Sequence, residues 1–407
     1  MKPKLWTRDF TIITAGTFVS MLGNAMAGIT LSLMVLDYTG STLMFSIFLV
    51  LNNLPKIVMP LIAGPFLDRF SRKKTVVALD YLSGAMYYVM FMLLTFNSVG
   101  LGVVLFATTM FGMLDSVNNV AYDSLYPNLV AKENYSKAYS VASMLYPLAA
   151  VAAPLGTFLY NAVGIAPILL VNAACFFAAA FAESFIAYSA PRAAAKIAYN
   201  RKRYARDFRA GVDYIKSHKG LLLIMVYICL NLVCDSTQTT LVLPYFKNTA
   251  GLSEFLFSMI TLCGVLGRLL GGGLHYKYKY PAKWKFLIAC VVYIATCAMD
   301  GAMLFVPLAV MFAFQFISGI MGVTSYNIRI SAIQSSLPDG YRARLNGVFS
   351  MVFAAGSIAG QLLSGAVAEL IPLRAVVVIF SAANILLVFA VVVRGAKYIK
   401  PIFNREI

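Results

Sequence analysis

Apolar residues run through this chain in long, nearly unbroken stretches separated by short polar ones. A hydrocarbon core of about 30 Å needs about 20 apolar helical residues to cross it. By that measure the stretches fall at 10–36, 44–67, 75–96, 101–126, 137–160 and 165–189, and, after a polar segment, at 220–244, 252–274, 284–304, 305–331, 344–368 and 373–394. The pattern predicts an all-α polytopic membrane protein with twelve transmembrane helices. The first stretch is too long for a signal-peptide core and lacks a convincing cleavage site, so it reads as a retained first helix.

Composition agrees. Of 407 residues, 60% are hydrophobic and 12% charged, where a soluble domain carries about 25% charged residues. The formal charge of +17 would suit a nucleic-acid partner, but the positions of the cations assign it to topology. Lys2, Lys4 and Arg8 precede helix 1, and Arg69, Arg72, Lys73 and Lys74 follow helix 2. Lys132 and Lys137 lie between helices 4 and 5, and Lys277, Lys279, Lys283 and Lys285 between helices 8 and 9. Arg342 and Arg344 precede helix 11, and Arg394, Lys397, Lys400 and Arg405 close the chain. The opposite loops hold little beyond Lys247 and Arg374. The positive-inside rule then puts both termini in the cytoplasm of a bacterial cell, with the chain multi-pass in the inner membrane and no nucleic acid bound. Trp6 and Trp284 fall at the expected cytoplasmic interfaces. The six cysteines all sit in apolar runs without CxxC spacing, which supports neither a metal site nor a disulfide framework.

The polar segment 191–219 carries Arg201, Lys202, Arg203, Arg206 and Arg209, with Tyr204, Phe208, Val212 and Ile215 at helical spacing. It reads as a basic amphipathic helix along the inner leaflet, linking a first half (1–190) to a second (220–407). A shift of about 207 residues overlays Ser140-Val-Ala-Ser-Met144 on Gly347-Val-Phe-Ser-Met351, Asn24 on Asn231, Gly64 on Gly271 and Lys137 on Arg344. Two pseudo-symmetric six-helix bundles with a solute site between them are a recurring transporter plan.

Between helices 2 and 3 stands Gly64-Pro65-Phe66-Leu67-Asp68-Arg69-Phe70-Ser71-Arg72-Lys73. With twelve helices and the central linker, it resembles the G-x-L-x-D-R-x-G-R-[RK] motif of the major facilitator superfamily, with Phe66 for Leu and Ser71 for the second Gly. The resemblance spans the whole chain and is greatest to the macrolide and drug-export (drug:proton antiporter) branch, through Trp6-Thr-Arg-Asp-Phe10, Gly16 and Ser20. It implies the major facilitator fold, with Gly64, Asp68, Arg69, Arg72 and Lys73 as a cytoplasmic gate. Asp68 would then face the amino terminus of helix 11, where the helix dipole carries about +0.5 charge. An ordinary positive-inside loop is the other reading. Helix 5 keeps a degenerate antiporter motif in Ala149, Ala153, Pro154 and Thr157, and helix 11 has Gly356, Gly360, Ser364 and Gly365, small residues that let helices touch. The drug-antiporter arginine of helix 4 is missing.

Charges within a membrane cost roughly 2.5–3.5 kcal/mol each at a helix centre, which makes them the first functional candidates. Asp235, Asp115 and Lys56 lie in mid-helix and are the proton-coupling candidates, unless Lys56 and an aspartate form a static pair. Glu183, Asp123, Arg268 and Arg329 lie nearer the cytoplasmic ends, the arginines as structural or gating partners. Polar stripes on helices 1, 4, 7 and 10 nominate Ser20, Asn24, Asn118, Tyr122, Asn231, Gln238, Gln315 and Tyr326 for a substrate cavity, with interhelical hydrogen bonding as the alternative. Met21, Met26, Met34, Met113 and Phe314 would add an adaptable apolar lining. The chain has no GxxxxGK[ST], HExxH or GxSxG motif, so no nucleotide, metal or other cofactor and no enzyme activity is expected. The expectation is a monomeric secondary transporter among membrane lipids, exporting hydrophobic or amphipathic small molecules against protons. Nutrient or metabolite import, facilitated diffusion and lipid flipping are the alternatives on the same fold.

Overall fold

The computed structural model describes residues 4–67, 71–96, 99–131, 134–187, 201–249, 252–277, 280–336 and 342–404. Among them, twelve helices are long and apolar enough to cross a membrane. The first four spans are α1 (Arg8–Thr39), α2 (Thr42–Leu67), α3 (Arg72–Phe96) and α4 (Leu101–Leu125). Thr7 caps α1 by accepting the Phe10 N–H at 3.2 Å. Gly40 closes it in the left-handed region, φ 60°, which a side chain would strain.

The fifth span is broken into α5 (Tyr135–Ala149) and α6 (Ala152–Val163). Pro154 has no amide hydrogen for the carbonyl of Ala150, and its ring crowds that carbonyl, so the helix parts there. The sixth span is α7 (Ile165–Ser184) and the linker helix is α8 (Arg201–Ser217). The second half holds α9 (Lys219–Pro244), α10 (Glu254–Lys277), α11 (Lys285–Ala302), α12 (Leu308–Ser336), α13 (Arg342–Ala368) and α14 (Leu373–Leu387), which runs on as a π-turn over Val388–Val393. A short α15 (Ala396–Phe403), unforeseen in the sequence, buries Ile399 and Phe403 in the second-half core.

The repeat read from the 207-residue offset recurs in the packing. In the first half α3 packs on α7 and α4, and α1 on α7, α5 and α6. In the second, α11 packs on α14 and α12, and α9 on α14 and α13. Gly112 and Gly319, 207 apart, both sit against a neighbouring backbone. A Cβ on Gly112 would come within 2.5 Å of the Asn52 carbonyl, and one on Gly319 would strike the Gly264 carbonyl.

Two boundaries differ from expectation. The chain forms two compact units, one of 1–40 with 48–199, the other of 41–47 with 200–407. Helix α8 therefore belongs to the second unit. Its Phe208, Val212 and Ile215 pack with Leu221, Ile224, Leu345 and Val348, while Arg206, Arg209 and Lys216 stay exposed. The apolar face expected to lie in the leaflet is seated on protein, because α9 and α13 offer it a hydrophobic surface. The first turn of α2 joins the second unit through Glu369, just past α13, whose Oε1 accepts the Ser41 hydroxyl at 2.7 Å and the Leu43 N–H at 3.0 Å. Residues 191–200 of the expected linker lie outside the described residues.

Candidate functional sites in the two halves

In the first half, three helices turn a polar stripe, and a fourth turns one acid, toward a common cavity of ≈ 60 Å³. Helix α1 brings Thr17, Ser20 and Asn24, and α3 brings Asp80, Ser83 and Tyr87. Helix α4 adds Asp115, Asn118 and Tyr122, and α7 adds Glu183. The i, i+3/i+4, i+7 spacing on α1, α3 and α4 is what puts these side chains on one face. Ligand pockets for drug-sized molecules run to about 300–1,000 Å³, so this space suits a few waters or a small ion.

Its chemistry is arranged by depth. Midway along the helices, Lys56 Nζ stands 3.7 Å from Asp115 Oδ2 and donates to Asn52 Oδ1 at 3.2 Å. The two charged side chains are 44% and 41% exposed, so protein does not enclose this pair. Toward the end where α1 and α3 begin, Asp80 (2% exposed) and Glu183 (1% exposed) are buried as neighbours on the wall of this cavity. Asn118 Nδ2 donates to Asp80 Oδ1 at 2.6 Å, and Glu183 Oε2 has no partner. Gly16 of α1 leaves room for that carboxyl, since a Cβ there would stand 2.8 Å from Glu183 Oε1.

In the second half one intramembrane acid lies near two cations. Asp235 of α9 is exposed and lies within electrostatic reach of Arg268 on α10 and Arg329 on α12. Asp300 of α11 lies close to Asp235, and its backbone carbonyl accepts from Gln238 Nε2 at 3.2 Å. Arg329 also reaches Tyr293, whose ring stands 5.0 Å from that of Tyr227. At the other end of this half, Arg374 donates to the Tyr245 hydroxyl and stacks over Phe305, and Lys247 pairs with Glu254 at 3.0 Å.

The remaining expected residues divide between cavity and packing. Asn24 accepts from Asn172 Nδ2 at 3.3 Å, and Asn231 Nδ2 donates to Asn384 Oδ1 at 3.1 Å. The same asparagine bridge thus joins the first and sixth helices of each half, although Asn24 also borders the cavity. The stripe expected on helix 10 splits: Gln315 bonds Met303 Sδ at 3.3 Å, Gly319 abuts α10, and Tyr326 is 54% exposed. Met21 lines the cavity, whereas Met26 and Met34 are buried in packing.

Of the gate motif, Asp68 and Arg69 lie outside the described residues, and Gly64 falls within α2. Arg72 starts α3, and Lys73 Nζ donates to the Ser184 carbonyl at 2.8 Å. Asp80 and Asp300 had no place in the sequence reading. Asp80 stands one turn inside a span edge and Asp300 at the end of another, where a carboxylate looks solvated.

Comparison with known proteins agrees with this architecture. The family model described as Major Facilitator Superfamily matches residues 13–306. Macrolide efflux protein A of Streptococcus pyogenes is 20% identical over 372 residues, 89% of this chain and 90% of that protein. The multidrug efflux pump Tap of Mycolicibacterium fortuitum is 24% identical over 396 residues, 93% and 92% of the two chains. Among solved structures, a bacterial homologue of the iron transporter ferroportin in its inward-facing state superposes with a TM-score of 0.69 at 17% identity, over 95% of this chain and 98% of that one. At that identity the likeness is one of fold.

Proposed function

Since the chain belongs to the major facilitator superfamily, we propose that it is a proton-coupled exporter of hydrophobic or amphipathic small molecules, working by alternating access. The observation that carries this reading is the Lys56–Asp115 pair. A charge pair midway along membrane-spanning helices, with both side chains over 40% exposed, needs water or a polar path beside it. An aspartate so placed can exchange a proton with that path, and Lys56 supplies the counter-charge when it ionises. Asp235, with Arg268 and Arg329 in reach, is the corresponding acid of the second half. The export direction and the substrate class draw support from the two efflux relatives.

The membrane is the bacterial inner membrane with both termini cytoplasmic, as the lysine and arginine distribution argues. The transporter works as a monomer, with solute, protons and lipid as its partners.

Inside-out vesicles test the reading. Ethidium accumulation that collapses on adding a protonophore is the expected result, and Asp235→Asn is expected to abolish it. Equilibration indifferent to the proton gradient would make the chain a facilitator, and intact coupled export in Asp235→Asn would remove that residue from the mechanism.

A further inference from the structure

The Lys56–Asp115 pair leaves the deeper half of the first-half cavity unexplained. Two acids, one on α3 and one on α7, are buried as neighbours, and both line the cavity. Two neighbouring buried carboxyls hold a proton between them, because two carboxylates repel and have only acceptors to offer each other. Asp80 Oδ1 already accepts the Asn118 amide at 2.6 Å, which favours Asp80 as the anion. Glu183 is then the protonated partner, and its Oε2 is buried with no recorded hydrogen bond.

We propose that Asp80 and Glu183 form a proton-binding site, which takes up one proton from the cavity they share with Asp115 and releases it there.

The step balances simply. Bound, the pair is one carboxylic acid hydrogen-bonded to one carboxylate. On release, the proton passes to a cavity water, the Glu183 O–H bond breaks, and two carboxylates remain. Those two like charges lie between closely packed helices, so deprotonation loads the α3–α7 contact and the approach of Gly16 on α1. A pair of acids that served only to join two helices would need no cavity beside it.

The surrounding charges leave the pair to itself. From α4, Asp115 and Tyr122 border the same cavity, and Asp123 is the next acid along. From α3, Tyr87 donates to Asn24 at 3.4 Å. Lys73 is held on the Ser184 carbonyl, Lys56 stands at Asp115, and Asp9 takes the Ala187 N–H at 3.1 Å. Among the described residues, none of these cations is engaged with Asp80 or Glu183.

The proton site does not depend on the export reading; its part in coupling does. Infrared spectroscopy of the full-length chain in lipid tests the site directly. The expected spectrum at neutral pH contains a carboxylic-acid carbonyl band that shifts in D₂O and disappears as the pH is raised. Glu183→Gln removes the band completely, and Asp115→Asn leaves it. Should Glu183→Gln fail to fold, wild type labelled with carboxyl-¹³C glutamate decides the matter. The band must shift, since of the described glutamates Glu254 is paired with Lys247 and Glu369 is exposed. A wild-type spectrum without the band, a band that persists in Glu183→Gln, or a band unmoved by the label overturns the proposal. Loss of the band on adding Mn²⁺ to wild type would also overturn it, by making the pair a metal site. Ethidium transport in the same preparation separates the two readings: wild type that shows the band but moves no dye refutes export alone, and wild type that moves dye without the band refutes the proton site alone.

Discussion

The two halves share a helix arrangement and differ in how they handle charge. Each has a glycine pressed against a neighbouring backbone at the same repeat position, Gly112 and Gly319, and each ties its first helix to its sixth by an asparagine bridge. In the first half, three acids border one small cavity, and the one cation recorded in contact with them, among the described residues, is Lys56. In the second half, Asp235 lies within reach of both Arg268 and Arg329. The common parts carry packing, which any six-helix bundle needs. The parts that differ are the titratable ones, and they set the halves to different tasks. The first half gathers its acids at one cavity, and the second sets an acid near two arginines.

Charge substitutions should break this contrast most severely. Asp115→Asn strands Lys56 in mid-membrane and is expected to abolish proton-driven dye accumulation in vesicles. Adding Lys56→Met restores the amount of folded protein in the membrane without restoring coupled export. A double variant that pumps normally would make the pair a static brace. Next in size, Gly112→Val and Gly319→Val force helix backbones apart and should each cost about 1–3 kcal/mol, as overpacked cores do. Thermal melting of the purified chain in detergent reads this, and Gly319→Val should be the worse, because there the Cβ overlaps the neighbouring carbonyl more deeply than at Gly112.

Smaller effects test the shared staple. Asn172→Ala and Asn384→Ala each remove one interhelical hydrogen bond, on the order of 1 kcal/mol in a membrane protein. Similar losses of melting temperature in the two variants would match the repeat, and a loss confined to one would refute the equivalence. The smallest effect concerns Glu369, outside the spans. Hydrogen bonds from the Leu43 backbone and the Ser41 hydroxyl hold its carboxyl below the ordinary glutamate range. A carboxyl lowered in this way stabilises the fold fully above the unfolded pKa of about 4.3 and loses that contribution as the pH falls through the folded value. Wild type should therefore lose melting temperature in that acid window relative to Glu369→Gln, and parallel curves would contradict the contact.

Much of this architecture was legible in the amino-acid pattern. The twelve spans follow from run length alone, and the 207-residue offset already paired Asn24 with Asn231 before either was seen to bridge helices. The break in the fifth span does not show in that pattern, because Pro154 reads there as a motif position within one continuous run. Pairings across the bundle were not legible: no spacing in the chain tells that a residue of span 3 meets one of span 6, so Asp80 and Glu183 could not be joined. Local periodicity likewise puts Gln315, Gly319 and Tyr326 on one stripe without saying that Gly319 is spent on packing against α10. The apolar face of α8 looked ready for lipid because its true neighbours, α9 and α13, follow it in the chain and only the tertiary fold folds them back.

The most direct test follows proton movement itself. In proteoliposomes with a pH-sensitive dye trapped inside, adding ethidium to wild type should drive protons in the direction opposite to the ethidium, and Asp115→Asn should show no such flux. Ethidium that crosses the membrane through wild type with no accompanying proton movement would contradict the account.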